Sequence, residues 1–401
     1  MIGRTISLYQ NAYSGLSKST WLLSFVMLIN RSGTMVIPFL TIYLTQPSMG
    51  YSMAQAGLVM GIFGLGAVCG GFLGGKITDR IGFHRVQLVT LTGGGLLFVV
   101  LGQMRNYPLI CLVTFLLSLV NEAFRPANST AIAHYSKEEN RTRSYSLNRL
   151  SINLGWAVGG AIGGILASIN YHLLFWVDGA TNLVAALLLR YFLARDPHPA
   201  GAHAAARGAV SSSAYKDKVY LQFIGLTVLF AGCFFQLLST LPLYYKKVLH
   251  LPEYMIGLLM TLNGLLIALF EMVLVFKLEG RRENLFYILS GVSVMGGAFL
   301  LLNLLPLSVV TAFLFMGFLT VGEILAMPFM NSFWISRTGL ANRGQYAGLY
   351  TMAWSTAQVL GPIGGTQVAQ YLSFRTLWWG AGVVCILAAA GFRRLLQNKR
   401  V

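Results

Sequence analysis

Seven charged side chains interrupt the long apolar runs of this 401-residue chain: Arg31, Glu122, Arg125, Arg149, Asp178, Glu271 and Glu323. A charge mid-way along a lipid-buried helix costs roughly 2.5–3.5 kcal/mol, so such residues persist where they face a water-filled cavity or a partner. The three guanidiniums all lie in the first half, a set suited to gripping a carboxylate. Glu122 and Arg125 are three apart and can pair on one helix face. Arg31, beside Asn30, is a second candidate partner for Glu122. Arg149, Asn153, Trp156 and Gly160 step along one further face, polar, then aromatic, then small, as a cavity lining should be. The second half has no basic residue mid-span. There Glu271 shares a face with Asn263 and Ile267, and Glu323 with Met327 and Asn331, with Pro328 as a candidate kink. A carboxyl group in low dielectric with no cation beside it can load and release a proton near physiological pH. Glu323 and Glu271 are therefore the first candidates for proton carriage, followed by Glu122 and Asp178. The competing readings are a neutral hydrogen-bonded carboxyl for Glu323 and Glu271, a structural ion pair for Glu122, and a helix-packing role for Asp178. Asp178 sits between Trp176 and Asn182 with no clear partner.

The elements that hold these residues follow from composition. The chain is 56% hydrophobic and 10% charged, with mean hydropathy +0.66, against about 25% charged for a soluble domain. A spherical core cannot hide that much apolar side chain. A soluble enzyme and a disordered chain are both excluded. A helical span takes about 20 residues, and twelve apolar segments are present: 20–44, 54–75, 86–105, 108–134, 146–169, 171–193, 219–245, 254–276, 285–304, 308–334, 345–370 and 373–392. Pro-containing turns such as Gln46-Pro47-Ser48 and Leu251-Pro252-Glu253 separate them. The one long polar stretch, 194–218, reads as a linker between a six-helix bundle at 1–193 and another at 219–401. The expected fold is all-α and polytopic. Residues 1–20 carry no cleavable leader pattern, so the first span reads as an uncleaved signal-anchor.

The net charge of +17 resolves by location. With both termini on one side, the N-terminus, the loops 76–85, 135–145, 190–218, 277–284 and 335–343, and the C-terminus hold 22 of the 29 lysines and arginines. The opposite loops hold four: Arg105, Lys246, Lys247 and Arg375. This asymmetry places both termini in the cytoplasm and makes a nucleic-acid partner unnecessary; the expected location is a bacterial inner membrane.

The halves also match at an offset of 201. Lys76-Ile-Thr-Asp-Arg80 aligns with Lys277-Leu-Glu-Gly-Arg281, Glu122 with Glu323, and Tyr145 with Tyr346. Gly160, Gly163 and Gly164 align with Gly361, Gly364 and Gly365. Two related six-helix halves are a transporter plan, with a substrate site near the bilayer midplane. The candidate substrate contacts are Arg31, Arg125, Arg149, Asn153, Trp156, Asn263, Asn331 and Trp354. Tyr43, Phe63, Trp176, Phe234, Phe235 and Tyr350 are further aromatic candidates.

The loop after span two reads Gly75-Lys-Ile-Thr-Asp79-Arg80-Ile-Gly82-Phe83-His84. Gly75 is expected to let two helices approach, Gly82 to permit a turn closed to other residues, and Asp79 to cap the next helix or pair with a base. This loop resembles the signature of the major facilitator superfamily, G-x-x-x-D-R-x-G followed by two basic residues. Gly75, Asp79, Arg80 and Gly82 match, whereas Phe83 stands at the first basic position and His84 at the second. In span five, Gly155, Gly159 and Gly163 lie four apart, a surface for close helix contact. It is similar to the antiporter motif of that superfamily, G-x-x-x-G-P-x-x-G-G, with Gly160 replacing its proline. The resemblance implies the twelve-span drug/proton antiporter branch.

No Walker loop, dinucleotide fingerprint or metal-spaced cluster is present, so no enzyme, cofactor or metal is expected. Cys69, Cys111, Cys233 and Cys385 read as small core hydrophobes. Asn128-Ser-Thr130 is a sequon inside a span and carries no weight. Trp378 and Trp379 read as interfacial anchors. The expectation is a monomeric secondary transporter, its partners a small-molecule substrate, protons and the bilayer, exporting amphipathic compounds. The alternatives are proton-coupled uptake of a peptide or organic acid and, from another class, a non-transporting membrane receptor.

Overall fold

The computed structural model describes residues 15–137, 141–193, 214–278, 280–337 and 343–398. Most of the expected linker, 194–213, lies outside them. The described residues form helices and turns, with no strand. In chain order the helices are α1 (Lys18–Ser32), α2 (Val36–Leu44), α3 (Met53–Ile81), α4 (Phe83–Gln103), α5 (Tyr107–Tyr135), α6 (Arg141–Ile169) and α7 (His172–Phe192). They continue with α8 (Lys218–Phe234), α9 (Thr240–Lys247), α10 (Glu253–Leu278), α11 (Asn284–Leu304), α12 (Val309–Ser336), α13 (Arg343–Tyr371) and α14 (Phe374–Asn398). Eleven spans among the described residues are long and apolar enough to cross a membrane, counting α1 and α2 as one. The twelfth expected segment, 345–370, is the helix α13, whose Thr351, Ser355, Thr356, Gln358, Thr366 and Gln367 make it polar.

Spans one and seven are broken. A proline inside a helix removes one backbone hydrogen bond and clashes with the carbonyl four residues earlier. Pro38 is the third residue of α2, and the chain leaves the helix at Gly33–Met35, one turn upstream. Pro242 is likewise the third residue of α9, preceded by Ser239 and a 3-10 turn at Phe235–Leu238. Pro328, the candidate kink, lies within the continuous helix α12.

By contacts the chain forms two compact units, Met1–Val36 with Gly66–Gly201, and Ile37–Leu65 with Ala202–Val401. The first contains an apolar core built from α1, α4, α5 and α7 around Leu23, Val26, Phe83, Phe124 and Leu189. Glycines bring α3 onto α5. A Cβ at Gly66 would lie 2.5 Å from the Phe115 carbonyl oxygen, and one at Gly74 2.5 Å from the Ala123 Cα. Gly75, expected to make this approach, has open space around it. The approach belongs to Gly66, Gly70 and Gly74, four apart on one face. The expected loop at 76–85 is mostly helix. α3 runs to Ile81, and the whole turn into α4 is Gly82 at φ 84°, a conformation that favours glycine. α4 begins there without a side-chain cap, so Asp79 does not cap it.

In the second unit, Gly57, Gly61 and Gly64 seat the first half of α3 on α13, with a Gly64 Cβ position 2.9 Å from the Gln358 carbonyl carbon. Gln370 accepts the Ala54 N–H at 2.6 Å in the same contact. Gly291 and Gly322 bring α11 and α12 together, each Cβ position within 2.8 Å of the other's carbonyl oxygen. Trp378, expected at an interface, is fully buried against Tyr244, Phe299 and Phe374. It is a core residue because the rings of α9, α11 and α14 converge on it. Cys233 and Cys385 are buried, and all four cysteines are free.

Candidate functional site

In the first unit, Arg31 occupies the last turn of α1, where the helix dipole favours a cation. The glycines of span five put it there. A Cβ at Gly155 would lie 2.6 Å from the Arg31 Cβ and 3.0 Å from the Leu28 carbonyl oxygen, and one at Gly159 3.0 Å from the Ser32 carbonyl oxygen. No larger residue admits the α1 backbone so closely to α6. Glu122 and Arg125 are the charged neighbours of Arg31. Glu122 Oε2 and Arg125 Nε are 3.3 Å apart, with the Arg125 side chain 71% exposed and that of Glu122 only 15%. Such a half-exposed pair is weak glue, so the arrangement is three charges of mixed sign that a ligand could compete for. Arg149 is exposed on α6, with Asn153 and Trp156 half-buried along the same helix as Gly155.

Asp178 departs from this pattern. It is completely buried in α7. Its carboxylate accepts the Met35 N–H at 3.1 and 3.0 Å and the Val36 N–H at 2.9 Å. These are donors of the first turn of α2, which has no preceding turn to bond to. Asn182, one turn on, donates to the Asp178 carbonyl at 2.8 Å and accepts from Asn30 at 2.9 Å. A Cβ at Gly33 would overlap Thr181 Oγ1, so glycine is needed where α7 crosses the break.

In the second unit, Asn263 of α10 donates to Thr320 Oγ1 at 2.9 Å and to Glu323 Oε2 at 3.1 Å, both on α12. Two candidates from different spans thus meet directly. Glu271, two turns along α10 from Asn263, is buried. Trp354 of α13 is ringed by Phe230, Phe234, Phe235 and Tyr350 at centroid distances of 6.0–6.3 Å. Tyr350 leads to Trp334 at 6.0 Å, and the Trp334 indole N–H donates to Asn331 at 3.2 Å. Trp354 and Asn331 therefore stand at two ends of one aromatic ladder.

Two polar clusters escaped the sequence reading. Gln87, Asn128 and Asn148 link α4, α5 and α6 inside the first unit through bonds of 3.2 Å. The sequon asparagine, only 3% exposed, is thus a buried network residue. In the second unit Asp217 caps α8 through the Tyr220 N–H at 3.0 Å and binds the Arg337 guanidinium in a fork of 2.7–2.9 Å bonds. The Tyr346 hydroxyl donates to it at 3.0 Å. Burial works against the Asp217 charge, but the Tyr220 amide, Arg337 and Tyr346 together hold its carboxyl below the ordinary range. Asp217 and Arg337 stand 120 apart in sequence, so no local pattern pairs them.

Among the described residues no cluster of His, Cys, Asp and Glu is grouped to hold a metal. Comparison with known proteins gives a match to the family model of the Major Facilitator Superfamily over residues 20–361. The "Na(+), Li(+), K(+)/H(+) antiporter" of Planococcus maritimus is 23% identical over 392 residues, covering 90% of this chain and 89% of that protein. "Multidrug resistance protein MdtH" of Yersinia pestis is 22% identical over 383 residues, covering 91% of each. A crystal structure of a POT family transporter in complex with 5-aminolevulinic acid superposes with a TM-score of 0.81 at 16% identity, covering 94% of this chain and 96% of that one.

Proposed function

The chain belongs to the major facilitator superfamily, and on that premise we propose that it is a proton-coupled exporter of amphipathic, drug-like compounds. Its class is that of secondary transporters working by alternating access, not of enzymes. The observation that carries the proposal is the contact between Asn263 and Glu323 at 3.1 Å. A carboxyl group inside a span, with an amide donor and no mid-span cation in its half of the chain, is suited to take up a proton on one side and release it on the other. The aromatic ladder from Phe234 to Trp334 supplies polarisable faces for a lipophilic cation or a neutral amphiphile. The relatives named for antiport and for multidrug resistance support the same reading. In this assignment Glu323 carries the proton, with Glu271 next to it in rank. Both termini lie in the cytoplasm, as the distribution of basic residues supports.

One observation favours a second reading. Arg31, Arg125 and Glu122 gather in the first unit, with Arg149 on the adjoining α6. Guanidiniums so placed suit the carboxylate of a peptide or organic acid, taken up with a proton. A thermal-shift panel on the purified protein separates the readings. Stabilisation by lipophilic cations is the expected result, and stabilisation by peptides or organic acids alone would replace export with uptake.

A further inference from the structure

We infer that Thr320 is a positioning residue for the acid beside it: it holds the Asn263 amide with its nitrogen toward Glu323, and so puts the proton that the acid carries on Oε1. Thr320 and Glu323 are three apart on α12, one turn, and both meet the same Asn263 Nδ2 of α10, at 2.9 and 3.1 Å. An amide NH2 has two hydrogens, and these two contacts use both. Thr320 sets the direction. Its single hydroxyl proton goes to the Met316 carbonyl of its own helix at 2.7 Å. That leaves Thr320 Oγ1 able only to accept. Turned over, the amide would set its oxygen against a hydroxyl oxygen whose hydrogen is already committed. Thr320 is fully buried, so bulk water does not take over either of its bonds.

The consequence falls on Glu323. Its Oε2 receives the Asn263 N–H, and an N–H cannot accept a hydrogen bond. A proton on Oε2 would compete with that N–H, whereas a proton on Oε1 leaves Oε2 as the carbonyl oxygen that Asn263 holds. The arrangement is confined to one half of the chain. At the offset of 201, Ile62 stands in the place of Asn263 and Leu119 in that of Thr320. There Glu122 meets the Arg125 cation instead. One acid has a cation beside it, the other an amide of fixed direction, and a packing role alone needs no hydroxyl at position 320.

The inference deepens the reading of Glu323 as the proton carrier and rests on it. Infrared spectra of the full-length protein in lipid at acid pH read the carbonyl stretch of the protonated carboxyl, assigned as the band that Glu323→Gln removes. A carbonyl that accepts a hydrogen bond absorbs at lower wavenumber than one that does not. Thr320→Val keeps the branched shape and loses the hydroxyl. The amide is then released and turns its oxygen to the carboxyl proton, so the band should move to higher wavenumber. Thr320→Ala should move it the same way, and Thr320→Ser, which keeps the hydroxyl, should leave it at the wild-type position. A merely structural threonine would move the unfolding midpoint and not the band. An unmoved band in folded Thr320→Val, or an equal shift in Thr320→Ser, would overturn the inference even where Glu323→Gln abolishes driven transport. No Glu323-dependent band at any pH would overturn both the inference and the carrier reading.

Discussion

Asn263 and Glu323 meet across two spans, with the amide Nδ2 of α10 3.1 Å from Oε2 of the carboxyl group on α12. The same amide holds Thr320, so it fixes where the acid points. Asn263→Ala should lower proton-gradient-driven transport severalfold while leaving ligand affinity within about twofold, because the acid remains but is no longer aimed. Initial rates in proteoliposomes, set beside ligand-binding curves, check this.

Neighbouring glycines should behave oppositely. Gly74→Ala places a methyl 2.5 Å from the Ala123 Cα, a collision with backbone that should cost about 1–3 kcal/mol. Gly75→Ala meets open space inside a helix and should be neutral or stabilising by up to about 1 kcal/mol. Unfolding midpoints of the two variants decide the matter.

The Asp217–Arg337 clasp predicts a pH signature. The folded carboxyl is held below its ordinary value of 3.8, so its stabilising contribution is fully present above that pH and is lost as pH falls through the lower folded value. Arg337→Ala should cost about 1.5–3 kcal/mol at neutral pH, the range for hydrogen bonds to a charged group. The difference from wild type should shrink below about pH 4. Parallel unfolding curves at neutral and acid pH test the sign.

Much of this was legible in the sequence. Hydropathy fixes the spans because every backbone group in lipid must be satisfied within a helix. The faces shared by Asn263 with Glu271, and by Glu323 with Asn331, follow from helical periodicity. That α10 and α12 turn these faces toward each other does not, since periodicity carries no information about neighbours. Asp178 lacked a partner in sequence because its partners are backbone amides, which every residue but proline has. Pro38 was the available signal, one turn past the break. The Gly75 expectation failed by one residue because a helix turns about 100° per residue, enough to move a glycine from contact to open space.

Arg149→Lys separates the two functional readings. Lysine keeps the charge but loses the planar fork that grips a carboxylate at two points. A carrier of peptides or organic acids should lose affinity about tenfold or more, at about 1.4 kcal/mol per tenfold. An exporter of lipophilic cations should change by less than twofold, which is the expected result in a binding titration.

The central claim is that Glu323 carries the coupled proton. Its most direct test is Glu323→Gln in proteoliposomes under an imposed pH gradient, with a lipophilic cation as the transported probe. Glutamine keeps the size and accepts the Asn263 hydrogen bond but cannot ionise. The account predicts that binding of the probe persists while gradient-driven transport is abolished. Driven transport at the wild-type rate in the glutamine variant would contradict it.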